Sequence, residues 1–203
     1  MSRIIFVLLV LAVITAGCLT RKQPVTRHYV LEYPHTETLH VKQEAAIKGT
    51  CIVRTAEVSP AYATHQIVLR ENTHEIRYFT FNTWAVRPEQ SLTGIIFRFL
   101  EEHNVFEAIR EPGLLQEADY TLDTRIDNLE VISESRDHIA RLVLEFRLTD
   151  NNENKVVNVH RADKRTVLDD RDLNLFAAAV VSMFTEELEK FTGQVKDILA
   201  NPI

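Results

Sequence analysis

From Leu173 to Ile198 the apolar residues Leu173, Phe176, Ala177, Val180, Phe184, Leu188, Phe191, Val195 and Ile198 recur at intervals of three and four. That spacing puts them on one stripe of an α-helix. A helix with a single apolar stripe must lie along a complementary surface, most simply the face of a β-sheet. Asp169, Asp170 and Asp172 come just before it. There, negative charge favours the helix start and an aspartate can cap free amides. Gly193 is expected to break the last turns.

The sheet is legible upstream. Tyr120, Leu122, Thr124 and Ile126 alternate with Asp119, Thr121, Asp123, Arg125 and Asp127, the period of a strand with one buried and one wet face. Ala140, Leu142, Leu144, Phe146 and Leu148 repeat the pattern, and Asn151-Asn152-Glu153-Asn154 turns the chain into Val156–Arg161. These segments predict an antiparallel meander. Earlier strands are expected at His28–Tyr33, with Tyr29, Leu31 and Tyr33 on one face, and at Thr50–Val58. Gln66–Arg70 and Glu75–Phe81 read as a hairpin. Pro88 suits the first turn of a helix whose stripe is Leu92, Ile95, Ile96, Phe99 and Leu100 and which Asn104 can end. Val105–Ile109 is the next strand, and Glu111-Pro112-Gly113 a turn. The fold class is therefore α+β: a largely antiparallel sheet packed by two amphipathic helices, preceded by a signal peptide.

The amino terminus stands apart from that domain. One arginine, Arg3, precedes the uncharged apolar run from Ile4 to Ile14. A helix of that length measures about 16 Å, too short for a bilayer core of about 30 Å. A charged start, a short apolar stretch and small residues before a cut make a secretory signal. Thr15-Ala16-Gly17-Cys18 resembles the lipobox of bacterial lipoproteins, which implies cleavage after residue 17 and acylation of Cys18. Several acyl chains together anchor a protein stably where one does not. Leu19 and Thr20 follow the cysteine. The aspartate that usually signals inner-membrane retention is missing from the second position, which favours the outer membrane. The chain then divides into a signal peptide (1–17), lipidated cysteine and tether (18–26) and one domain (27–203), with no repeat or linker inside it.

Removing residues 1–17 leaves 186 residues, with 22 basic and 29 acidic side chains, a balance of −7. Without a basic run, such a chain is not built to bind nucleic acid. With Cys18 acylated, Cys51 is left alone and cannot form an internal disulfide; its apolar strand marks it as a core residue. The sequence contains no His-Glu-x-x-His, no Gly-x-Ser-x-Gly and no phosphate-cradling glycine loop. Asp119, Asp123 and Asp127 share one strand face, but residues four apart in a strand lie about 13 Å apart, too far for one ion. No catalytic residue, metal site or cofactor is assigned, and enzyme activity is not expected. Trp84, the single tryptophan, stands between a strand and a helix. There it serves either the core or, with Arg87 and Glu89 as a polar rim, as a partner-contact anchor.

Four pieces carry a family resemblance. Tyr29-Val30-Leu31 follows the lipidated cysteine closely. An aromatic strand runs into Trp84-Ala85-Val86-Arg87-Pro88 before the first helix. Ala118-Asp119-Tyr120-Thr121-Leu122 opens the middle sheet, and Phe176-Ala177-Ala178-Ala179-Val180 lies in a small-residue C-terminal helix. In order and spacing the chain resembles the ABC-type transport auxiliary lipoproteins, a family that includes the lipoprotein of the paraquat-inducible lipid transport system. The resemblance implies an accessory role on the periplasmic side of a membrane. It implies contact with a mammalian-cell-entry-type protein and with the ABC transporter components of a lipid transport system. Oligomeric state stays open, a homo-oligomer included. Two other classes fit the same anchor and domain: a structural lipoprotein of an outer-membrane complex, and a lipid-binding lipoprotein whose cavity would be lined by the apolar face of Leu173–Ile198.

Overall fold

The computed structural model describes residues 24–33, 46–111, 117–134, 137–170 and 172–201. The expected signal peptide, Cys18 and the turn residues Pro112 and Gly113 lie outside the described residues. In chain order the elements are β1 (Arg27–Tyr29), β2 (Ile47–Val53), β3 (Glu57–Val58), β4 (Gln66–Asn72), β5 (Glu75–Trp84) and α1 (Pro88–Glu102). Then come β6 (Phe106–Arg110), β7 (Tyr120–Glu134), β8 (Asp137–Asp150), β9 (Lys155–Leu168) and α2 (Leu173–Ala200).

One long strand organises the sheet. Along one edge of β7, β8 pairs antiparallel over the full length, and β9 pairs antiparallel with β8 to complete the expected meander. Along the other edge β2, β3 and β4 dock in chain order and parallel, at Tyr120–Leu122, Arg125–Ile126 and Glu130–Ile132. From there the sheet opens into two wings, β2 with β6 and β4 with β5 and β1. The parallel pairs, β1 with β5 and β2 with β6, join segments that lie far apart in sequence. A parallel neighbour needs a crossover rather than a tight turn, and nothing local in the sequence announces one. The antiparallel ladders are the longest, so the α+β class stands.

The expected Thr50–Val58 strand is two strands, for a reason of register. Val53 pairs with Leu122 and Glu57 with Arg125, so four chain steps must match three on β7. The surplus residue breaks the ladder, and Ala56 there donates its N–H to Thr93 Oγ1 on α1 at 2.9 Å. The expected His28–Tyr33 strand is also shorter, its ladder ending at Tyr29. The alternation persists beyond it, with Tyr29 and Leu31 buried and Val30 and Glu32 exposed. A register shift between Ile126 and Asn128 interrupts β7. Leu122, Thr124 and Ile126 face the core before it, Leu129 and Val131 after it, and Glu130 turns to the opposite face.

The helices take the places their stripes require. Asp172 caps α2, its carboxylate accepting the Asn174 N–H at 2.8 Å. Phe184 and Phe191 each pack their rings 5.4 Å from Phe146 on β8. Gly193 does not break the helix, which continues unbroken to Ala200. The buried Phe191 and Val195 on either side hold those turns on the sheet, and that packing outweighs the roughly 1 kcal/mol cost of a helical glycine. α1 starts at Pro88 and is stopped by Asn104 in the left-handed region, φ 44°. Among the described residues no helix is long and apolar enough to cross a membrane.

Candidate functional site

An apolar groove of about 680 Å³ lies between the edge strand β1 and the flank of α2. The backbone and side chains of His28, Tyr29, Val30 and Glu32 form one wall. The other follows α2 from Asn174 to Glu189, about 22 Å of helix. Ala177, Ala178, Val181 and Ser182 make that wall low and smooth. Of the apolar stripe of α2 only Ala177 lines it among the described residues. Phe176, Val180, Phe184, Leu188 and Phe191 are spent on the sheet, so the face once expected to line a lipid cavity is core instead.

β1 contributes more than side chains. Tyr29 accepts the Ala85 N–H at 2.7 Å on its β5 side, and the parallel register sets Arg27, His28 and Tyr29 against Asn82, Thr83 and Trp84. In such a ladder alternate residues direct both backbone groups to the partner. Arg27 and Tyr29 therefore face β5, and His28 presents its N–H and carbonyl to the edge that no described strand pairs, as does Val30 where the extended alternation continues. Glu32, Glu186 and Glu189 give the rim an acidic character. Glu186 is engaged by Lys190 at 2.6 Å and Lys164 at 3.4 Å, and these ammonium groups hold its carboxyl below the ordinary range. Glu32 and Glu189 make no ion pair among the described residues. At the same end, burial and the Glu102 carboxylate push the Tyr33 phenol up to about 12.

The residues singled out in the sequence fall elsewhere. Trp84 retains 3% of its surface and sits 5.7 Å from the Phe176 ring, so it joins β5 to α2 as a core residue and offers a partner almost nothing. Arg87 and Glu89 lie beside it at the start of α1, ion-paired at 2.7 Å, and Arg87 also donates to the Ala63 carbonyl at 2.7 Å. Cys51 is fully buried in β2, and burial pushes its thiol up to about 12. Asp119, Asp123 and Asp127 hold separate partners: the Thr50 N–H, Arg54 and Arg125.

One cluster escaped the sequence reading altogether. Glu130 is completely buried and accepts from Tyr62 Oη at 2.7 Å, Arg70 Nε at 2.9 Å, Asn128 Nδ2 at 3.2 Å and Arg141 at 3.5 Å. Burial and the Glu130 carboxylate raise the Tyr62 phenol. With its lone pairs taken by four donors, this carboxylate ties the Ser59–Thr64 turn to the sheet and is not arranged to act on a ligand.

The family model for the ABC-type transport auxiliary lipoprotein component matches residues 29–195. The chain belongs to this family. The match begins at Tyr29, in the groove wall, and ends at Val195 on α2, so the auxiliary-lipoprotein unit contains both sides of the groove. Among solved structures, a Xanthomonas campestris protein of the DUF330 family is similar over 87% of this chain and 96% of its own, with a TM-score of 0.66 and 15% identity. The crystal structure of an uncharacterized protein is similar over 84% and 99%, with a TM-score of 0.61 and 10% identity. Those likenesses establish the fold and no more. No curated protein matches the sequence.

Proposed function

We propose that the chain is the accessory lipoprotein of an ABC-type system that moves lipids, held on the periplasmic side of a membrane by acylated Cys18 and acting through protein contacts rather than catalysis. The observation that carries the reading is the family match across residues 29–195. The structure supports the contact mode. The Glu130 cluster is internally satisfied, whereas the groove beside β1 leaves apolar surface and backbone groups uncovered by the described residues. The partner proposed is a mammalian-cell-entry-type periplasmic protein together with the permease and ATPase. Leu19 and Thr20 after the cysteine support the outer membrane as the anchoring site. Arg87, exposed beside the buried Trp84, is retained as a polar part of the contact surface.

Mild crosslinking in cells, purification of the tagged protein from detergent-solubilised membranes and mass spectrometry of its companions test this. Recovery of a mammalian-cell-entry-type protein supports it. Recovery of a β-barrel protein alone would instead mark a structural lipoprotein of an outer-membrane complex.

A further inference from the structure

We propose that the groove between β1 and α2 is a strand-docking site, occupied by an extended segment of a partner protein that alternates apolar and basic residues. Three observations converge on that occupant. The first is hydrogen bonding. His28 and Val30 turn backbone groups into the groove, and an acyl chain or a helix laid there would leave them unpaired, whereas an added strand would satisfy them. The second is shape. Ala177 and Ala178 let a backbone approach α2 closely, and Val181 offers the apolar contact that every second side chain of a strand needs. The third is charge. Glu32 and Glu189 stand at the rim without ion pairs among the described residues, so cationic side chains on the occupant's other face are complementary.

The contrast with β9 sharpens the inference. Its outer edge is long, and it carries Lys155, Arg161, Lys164 and Arg165 against Asp163, the usual defence against unwanted pairing. The groove stretch His28-Tyr29-Val30-Leu31 carries no charged side chain. β1 carries one charge, Arg27 at its start, so among the described residues its edge is the less guarded of the two. The inference rests on the protein-contact reading only for the identity of the partner. Failed copurification with intact peptide binding would remove the transporter assignment alone, and lost peptide binding would remove the groove.

The test uses the full mature chain and a labelled nine-residue peptide of alternating lysine and valine, followed by fluorescence anisotropy and by hydrogen exchange at the His28 and Val30 amides. Binding with protection of those amides is expected. The same peptide N-methylated throughout, which cannot donate backbone hydrogen bonds, should not bind. Glu32→Lys together with Glu189→Lys should weaken binding roughly five-fold, as expected for the loss of two exposed charge pairs. Ala178→Trp, an exposed position, should abolish binding with the melting temperature unchanged. Equal binding of the N-methylated peptide, or of a glutamate–valine counterpart, would overturn the proposal. So would absence of binding up to millimolar peptide, or stoichiometric uptake of cis-parinaric acid that Ala178→Trp blocks, since that would make the groove an acyl-chain site.

Discussion

Replacing Trp84 by alanine separates packing from contact at the residue where the sequence allowed both. The indole is 97% withdrawn from solvent, at the junction where β5 meets the start of α2 through Phe176. A buried tryptophan hides about 150–250 Å², which at about 25 cal/mol per Å² corresponds to an upper limit of about 4–6 kcal/mol. Alanine keeps part of that burial and the remaining cavity relaxes only in part, so the expected loss is about 3–5 kcal/mol. For a domain of this size each kcal/mol moves the melting temperature about 2–4 °C, giving a fall of about 6–20 °C. Differential scanning calorimetry on wild type, Trp84→Ala and Trp84→Phe measures it, and the phenylalanine variant should recover a large share. Combining Trp84→Ala with Phe176→Ala should cost less than the sum, because both empty one site. A fall below about 3 °C with unchanged secondary structure would refute the packing account and return Trp84 to the surface as a contact residue.

Four further outcomes follow from the same structure. Glu130→Ala removes the acceptor that Tyr62, Arg70 and Asn128 all share and should cost about 3–5 kcal/mol in urea unfolding, as breaking one side of a buried ion pair does; a midpoint close to wild type would show the cluster to be dispensable. Gly49→Ala places a Cβ 2.7 Å from Asp119 Oδ2 at a backbone φ of 102°, with an expected loss of about 1–3 kcal/mol that Asp119→Ala should partly relieve; a neutral Gly49→Ala would contradict the close approach. The Cys51 thiol, pushed up to about 12 by burial, should resist iodoacetamide at neutral pH and react once the protein is denatured; equal rates in the two states would mean that β2 opens. Arg161 holds the Glu145 carboxyl, and Arg141 the Asp163 carboxyl, below the ordinary range. A depressed folded pKa stabilises above the unfolded pKa and loses that contribution as pH falls through the folded one. Melting temperature should therefore stay level down to about pH 5 and drop below it, with a shallower drop in Glu145→Gln; identical acid limbs would remove Glu145 from that account.

Much of the architecture follows from local pattern. The meander, the β4–β5 hairpin, the entry of α1 at Pro88 and its stop at Asn104, and the Asp172 cap each depend on residues close in sequence. Their physical causes are period-two burial, turn residues, ring constraint and a side-chain acceptor for free amides. Where the reading failed, a distant contact decided. Gly193 stays helical because Phe191 and Val195 on either side of it are buried against the sheet, Phe191 on the Phe146 ring of β8. The Thr50–Val58 run divides because β7 offers three steps where the chain brings four. Glu130 reads locally as one more wet-face residue of a strand, and only the shift after Ile126, together with the turn at Tyr62, puts it under cover.

The groove was beyond local pattern for the same reason, and its origin limits what can occupy it. His28 and Ala178 lie 150 positions apart and meet only because β1 crosses over to pair parallel with β5 while α2 returns along the meander. The run Ala177-Ala178-Ala179 was visible as a small-residue stretch of the helix, but small residues suit close packing as well as they suit an opening. What decides between them is that β1 ends the sheet there. A sheet edge beside a smooth helix flank leaves main-chain donors and acceptors exposed next to apolar surface. In water those groups are solvated and the apolar flank is not. An occupant therefore gains from covering the flank only if it also replaces the water hydrogen bonds along the edge. A lipid can do the first and not the second. An extended peptide does both, and for this reason the β1 edge, rather than the buried tryptophan or the charged edge at β9, is where a partner should be sought.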